Sequence, residues 1–187
     1  MNKYLEFWTW FNNIENKFFD SIEQEADKWV PIIDDALKKI HPDIVFEISE
    51  LLQDKREIII SADGNLNAFE EVFNLCNASL VNDRWRVVAL RQPEGVMNHH
   101  VELDGLVLGY EHIFYHLNNS TMYIYIEGYD HRDQRYVHAY FLLLDALIGE
   151  YDAVTQIKST KILTERHNNL VPFTHLIEEI KKESTKS

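Results

Sequence analysis

Three isoleucines in succession, Ile58, Ile59 and Ile60, constrain most tightly what this chain can fold into. A β-branched run that short, with turn residues after it, reads as a strand covered on both faces. It opens a longer stretch, Arg56 to Gln92, around which the rest is organised. The spacing predicts a strand (Glu57 to Ser61), a turn at Asp63-Gly64, a helix, and a second strand (Trp85 to Leu90). Gly64 supplies the positive φ of a tight turn, and Asn65 or Asn67 can accept the first free N–H groups of the helix. Phe69, Val72, Phe73, Cys76 and Leu80 then form one helical stripe. Glu70 and Glu71 fall in the first turn, where the helix dipole favours negative charge. Trp85, Val87 and Ala89 alternate with Arg86 and Val88, the period of a strand returning to the same core.

Ahead of this stretch, Phe7, Phe11, Ile14, Phe18 and Ile22 recur at helical spacing, with Tyr4 and Trp8 widening the stripe. The opposite face carries acids and amides rather than the Lys and Arg of a lipid-binding helix, so the stripe is expected in a core. Pro31 is expected to start a second helix, where its missing N–H costs nothing, and His41-Pro42-Asp43 to stop it. Ile44, Phe46 and Ile48 share one face of a strand that forms an antiparallel hairpin with the isoleucine strand.

Beyond Gln92, Asp104-Gly105 marks a hairpin between Val101 and Leu108, because Asp-Gly favours a type I′ turn. Further strands are expected from His112 to Leu117 and from Thr121 to Glu127. Tyr136, Ala139, Tyr140, Leu143 and Leu147 repeat the stripe of the first helix at a constant offset, and a strand is expected from Tyr151 to Ile157. The order strand, strand, helix, strand thus occurs twice. A last helix begins near Pro172, with Phe173, Leu176, Ile177 and Ile180 as its packing face. The expected fold is α+β: a mainly antiparallel sheet with duplicated ββαβ units, N-terminal helices and a C-terminal helix. It forms one domain over residues 1–187, with the helices of residues 1–41 packed on the sheet.

The formal net charge of −13 and pI near 5.0 argue against a nucleic-acid partner, which needs clustered Lys and Arg. No run approaches the roughly 20 apolar residues of a membrane span, so no membrane association is expected. The single cysteine suits a reducing compartment, and the expected location is the cytoplasm. Cys76 lies on the apolar stripe, the place of a structural thiol rather than a nucleophile.

ISADGN at 60–65, Phe69, Trp85 followed by VVAL, LDALIGE at 144–150 and LVPFTHL at 170–176 together resemble an uncharacterised family of bacterial cytosolic proteins, a domain of unknown function. Its members run ADGN…F…W…A, then LDxxLGE, then L(I/V)P with an apolar helix. Ile148 stands where that family has its second leucine. The resemblance implies one α+β domain and assigns no catalytic residue.

No nucleophile elbow, phosphate-binding glycine loop or cysteine–histidine spacing is present, so neither a catalytic group nor a cofactor is expected. Metal candidates are His99, His112 and His116, in the hairpin region 99–116. If residues 106–117 form an unbroken strand, His112 and His116 share a face, and the Asp104-Gly105 turn sets His99 opposite Tyr110. Asp130 and Asp133 are expected to make a turn and a helix cap. Tyr123 and Tyr125 are candidates for a partner contact, or else form a tyrosine ladder beneath a helix. The expected function is a non-enzymatic, cytosolic protein-binding module, an immunity-type neutraliser of a basic protein partner. The alternative is a small enzyme or a metal- or ligand-binding domain using the 99–116 hairpin.

Overall fold

The computed structural model describes residues 2–96 and 99–184. The chain is α+β, with six α-helices and nine strands among those residues, and it divides into two compact units, Met1–Arg91 and Gln92–Ser187. No described helix is long and apolar enough to cross a membrane.

The first unit runs α1 (Lys3–Ser21), α2 (Ala26–Lys38), β1 (Val45–Ile48), β2 (Arg56–Ser61), α3 (Phe69–Asn77) and β3 (Trp85–Ala89). The strand order is β1-β2-β3, antiparallel in the first pair and parallel in the second. The aromatic stripe of α1 closes on Trp85: Phe18 stacks on the indole at 5.5 Å, and Phe11 and Phe19 meet it edge-on at 5.6 and 5.2 Å. Among these rings Glu15 is buried, and it is satisfied. It accepts hydrogen bonds from the Trp85 indole N–H at 3.1 Å, the Asn82 amide at 2.8 Å and the Arg84 guanidinium at 3.2 Å. A buried carboxylate is tolerated only with such partners. The Trp8 indole N–H, donating to the Leu75 carbonyl at 2.7 Å, ties α1 to α3.

Two expectations for this unit change. The buried side of α3 runs through Phe69, Val72 and Leu75, whereas Phe73 is 37% exposed and Leu80, past the helix end, is 54% exposed. The helix begins only after a 3₁₀ turn at Leu66–Ala68 and meets α1 through Leu75, which rotates the core-facing side away from Phe73. Asn65 caps that turn by accepting from the Asn67 N–H. The second helix starts at Ala26 rather than at Pro31, which lies exposed within its second turn and forgoes the helical hydrogen bond to the Asp27 carbonyl.

The second unit runs β4 (His100–Leu103), β5 (Leu106–Gly109), β6 (Ile113–Asn118), β7 (Thr121–Ile126), α4 (Arg135–Ile148), α5 (Glu150–Gln156), β8 (Ser159–Ile162), β9 (Val171–Pro172) and α6 (Leu176–Ser184). Strands β4 and β5 form the Asp104-Gly105 hairpin, and the larger sheet has the order β8-β7-β6-β9. Here too an antiparallel pair (β6, β7) is followed by a helix and a strand parallel to the second member (β8). The ββαβ echo is therefore a shared topology. Residues 151–156, expected as a strand, are helical. Gly149, at φ +83°, ends α4 and lets the chain restart as α5, whose buried Glu150 and Ala153 stand one helical turn apart.

Ile113, Tyr115, Met122, Ile124 and Ile126 form the inner face of the sheet, packed with Ala139, Tyr140, Leu143 and Leu147 of α4 and with Phe173, Leu176 and Ile180. The buried Tyr140 hydroxyl meets the Met122 sulfur and the Thr160 hydroxyl, each at 3.2 Å. Phe173 lies within 6.2 Å of the Tyr110, Tyr115 and Tyr140 rings.

The orientation of α3 has a direct check. Leu75→Ala is expected to destabilise by about 2–5 kcal/mol, as for a fully buried leucine. Phe73→Ala is expected to cost about 1 kcal/mol or less. Urea unfolding of both variants measures the difference, and equal costs would mean that the helix is rotated from the orientation described.

Candidate functional site

Which surface of the second sheet stays open follows from how the strands are connected. Strand β8 runs parallel to β7, so the chain has to cross a sheet face between them, and it does so as α4 over the inner face. Strands β8 and β9 occupy opposite edges. The eight residues between them, Leu163–Leu170, have to cross the sheet again, and they take the outer face.

Register sorts the outer-face side chains into rows. Phe114 lies opposite Tyr125, His116 opposite Tyr123, and Asn118 opposite Thr121, while Lys161 and Ser159 of β8 extend the last two rows. The Lys161 ammonium stands 5.4 Å from the Tyr123 ring centroid, and the Arg166 guanidinium 3.4 Å from that of Phe114. Arg166 also approaches Glu127 at 3.7 Å. Between the crossing segment and the sheet lies an open cleft of about 400 Å³, lined by His116, Asn118 and Tyr123 below and by Leu163, His167, Asn169 and Leu170 above. Among the described residues, the His116, Asn118, Tyr123, His167 and Asn169 side chains make no hydrogen bond within the chain. The polar groups of the cleft are left to solvent or to a ligand.

Of the expected metal candidates, only His116 belongs to this cleft. The strand expected over 106–117 is broken by a 3₁₀ turn at Tyr110–His112, which takes His112 off the face of His116. The His112 Nδ1 instead accepts the Gly109 N–H at 3.0 Å. His99 does stand opposite Tyr110, as the turn dictates: the rings stack at 6.1 Å, with Nε2 3.2 Å from Glu94. The three histidines form no group. Among the described residues, no cluster of three His, Cys, Asp or Glu side chains is arranged to hold a metal ion.

Tyr123 and Tyr125 are half-buried on the outer face, with α4 on the other side of the sheet. They do not lie beneath that helix. In the loop before α4, the Asp130 carboxylate accepts from the Arg132 backbone and guanidinium, which holds it below the usual carboxylate range. Arg135 does the same for Asp133, whose carboxylate also accepts the Arg135 N–H at the helix start. These are turn and cap carboxylates, already paired, rather than proton carriers.

Phe114, Lys161, Arg166, His167 and Asn169 were not legible as site residues. The first shares an alternating pattern with His116 that any half-buried strand would show. Lys161 lies in β8, and Arg166, His167 and Asn169 belong to a segment without periodicity that only the strand order brings over the sheet. No protein-family model, curated protein or solved structure matches this chain.

Burial pushes the Cys76 thiol up to about 12, away from the range of a reactive thiolate. At pH 8, iodoacetamide is expected to label Cys76 in the native protein on the order of a thousandfold more slowly than in urea, in proportion to the lost thiolate. Equal rates in the two states would contradict the burial described.

Proposed function

We propose that this protein is a non-enzymatic, cytoplasmic binding module that holds another protein on the outer face of its second sheet, in the manner of a neutraliser. The aromatic, helix-free face formed by Phe114, Tyr123 and Tyr125 is the observation that carries the reading. Tyrosine offers a large contact area at little entropic cost and is enriched where interfaces concentrate their binding energy. A net charge of −13 draws in a basic partner at long range. At short range Lys161 and Arg166 set a different sign on the face itself, so the partner patch that lands there carries acidic groups within a basic protein. A second reading, a small-molecule-binding domain, draws on the cleft beside His116 rather than on the 99–116 hairpin.

A photo-crosslinking residue, p-benzoylphenylalanine, placed at Tyr125 tests the first reading, with the same residue at the exposed Val107 of β5 as control. In lysate of the source cells, the Tyr125 position is expected to capture one predominant basic protein. The yield is expected to fall at roughly 0.5 M salt, where charges beyond a few ångströms are screened. Capture of the same proteins from both positions, or of none from Tyr125, would overturn the reading.

A further inference from the structure

We propose that the cleft beside His116 and His167 is a carboxylate socket, which receives an aspartate or glutamate side chain from an extended segment of the bound partner. The inference rests on the binding-module reading and specifies what that surface recognises. Three observations lead to it.

The first is the donor set. The amides of Asn118 and Asn169, the Tyr123 hydroxyl and the imidazoles of His116 and His167 can all donate hydrogen bonds, and none is engaged within the chain among the described residues. An ionised carboxylate is an acceptor only, so it complements such a set better than a group that must also find acceptors.

The second is local charge. Lys161 sits over Tyr123, and Arg166 lies over Phe114 with Glu127 as its ion-pair partner at 3.7 Å. A single carboxylate entering the cleft meets the Lys161 cation. A polyanion would instead meet the repulsion of the whole chain at −13, which sets nucleic acid aside and favours an isolated acid.

The third is shape. A volume of about 400 Å³ is within the range of ligand pockets, but the cleft is open rather than enclosed. It suits a side chain whose neighbours bind elsewhere. Leu163 and Leu170 give the methylene stem an apolar wall. One row away, about 7 Å along the strands, Tyr125 can take an apolar residue two positions from the acid in an extended peptide.

A capped peptide, acetyl-Gly-Phe-Ser-Glu-Gly-amide, serves as probe, with its glutamine counterpart as control. Both are titrated into the ¹⁵N-labelled full-length protein and followed by NMR. The glutamate peptide is expected to shift the amide resonances of His116, Tyr123 and His167 saturably, at roughly tenfold lower concentration than the glutamine peptide. Single-residue variants separate the two contributions. His167→Ala and Lys161→Ala are expected to shrink the glutamate preference with the thermal melt unchanged, while Tyr125→Ala weakens both peptides equally. Equal affinity for the two peptides would overturn the socket and leave the aromatic face as the contact. Shifts confined to residues away from the cleft, or none at millimolar peptide, would also overturn the socket. The broader reading then stands or falls on the crosslinking at Tyr125.

Discussion

A strand that returns parallel to its predecessor has to cross a sheet face, and that requirement organises both halves of this chain. Between β2 and β3 the crossing carries α3, and between β7 and β8 it carries α4. In each half the crossing helix covers one face, and the apolar alternation of the strands follows from it. Ile58 and Ile60 are fully buried in the first sheet, as are Met122 and Ile124 in the second. In the second unit the constraint acts twice, because β9 pairs on the edge opposite β8. With α4 on the inner face, the Leu163–Leu170 segment has only the outer face left. The cleft is therefore a consequence of strand order.

Much of the fold was legible because its signals are local. Alternation in Thr121–Ile126, the Asp104-Gly105 turn and the aromatic spacing of α1 each determine an element within a few residues. The α+β class and the doubled ββαβ order follow from those elements. Misreadings occur where a local pattern admits two answers. The apolar residues of α3 span more than one helix face, and its contacts with α1, Trp8 with the Leu75 carbonyl and Tyr4 with Glu71 among them, decide which side is buried. Tyr151–Ile157 is compatible with either a strand or a helix, and Gly149 at positive φ decides for the helix. His112 lies in a turn no periodicity announces. As for the site, Tyr123, Tyr125 and His116 could be named from alternation, but their neighbours His167, Asn169 and Arg166 could not. Nothing local links residue 167 to residue 116; pairing of β8 and β9 on opposite edges does.

How polar groups are satisfied separates architecture from site. Glu15 is buried with three donors directed at it, one of them the indole of Trp85 that α1 packs around. The Tyr115 hydroxyl donates to Glu179 at 2.7 Å, and Tyr140 finds Met122 and Thr160. These buried polar groups have partners, as the cost of leaving one unmade requires, whereas the Arg56 Nε is buried without one although its terminal nitrogens reach Ser49 and Glu23. The cleft differs: His116, Asn118, His167 and Asn169 are exposed and Tyr123 half-buried, and among the described residues none of these side chains makes a hydrogen bond within the chain. Partial exposure makes this affordable, since water can serve each group. It also means that a ligand offering acceptors would exchange water for fixed contacts without breaking any bond within the fold.

Charge then acts on two length scales with opposite signs. Beyond about 8 Å at physiological salt, individual surface charges are largely screened, and an approaching protein feels mainly the summed field of a chain at −13. Within contact distance the local arrangement decides, and on this face it is Lys161 over Tyr123 and Arg166 over Phe114. A cation over an aromatic ring keeps its charge available at the rim while its apolar stem covers the ring. The far field thus favours basic proteins during approach, and the near field favours the poses in which an acidic group reaches the cations. For the binding we propose, discrimination by two opposed terms is stricter than by either alone: a uniformly basic surface would be drawn in without a complement at the cleft, and a uniformly acidic one would be repelled before it arrives.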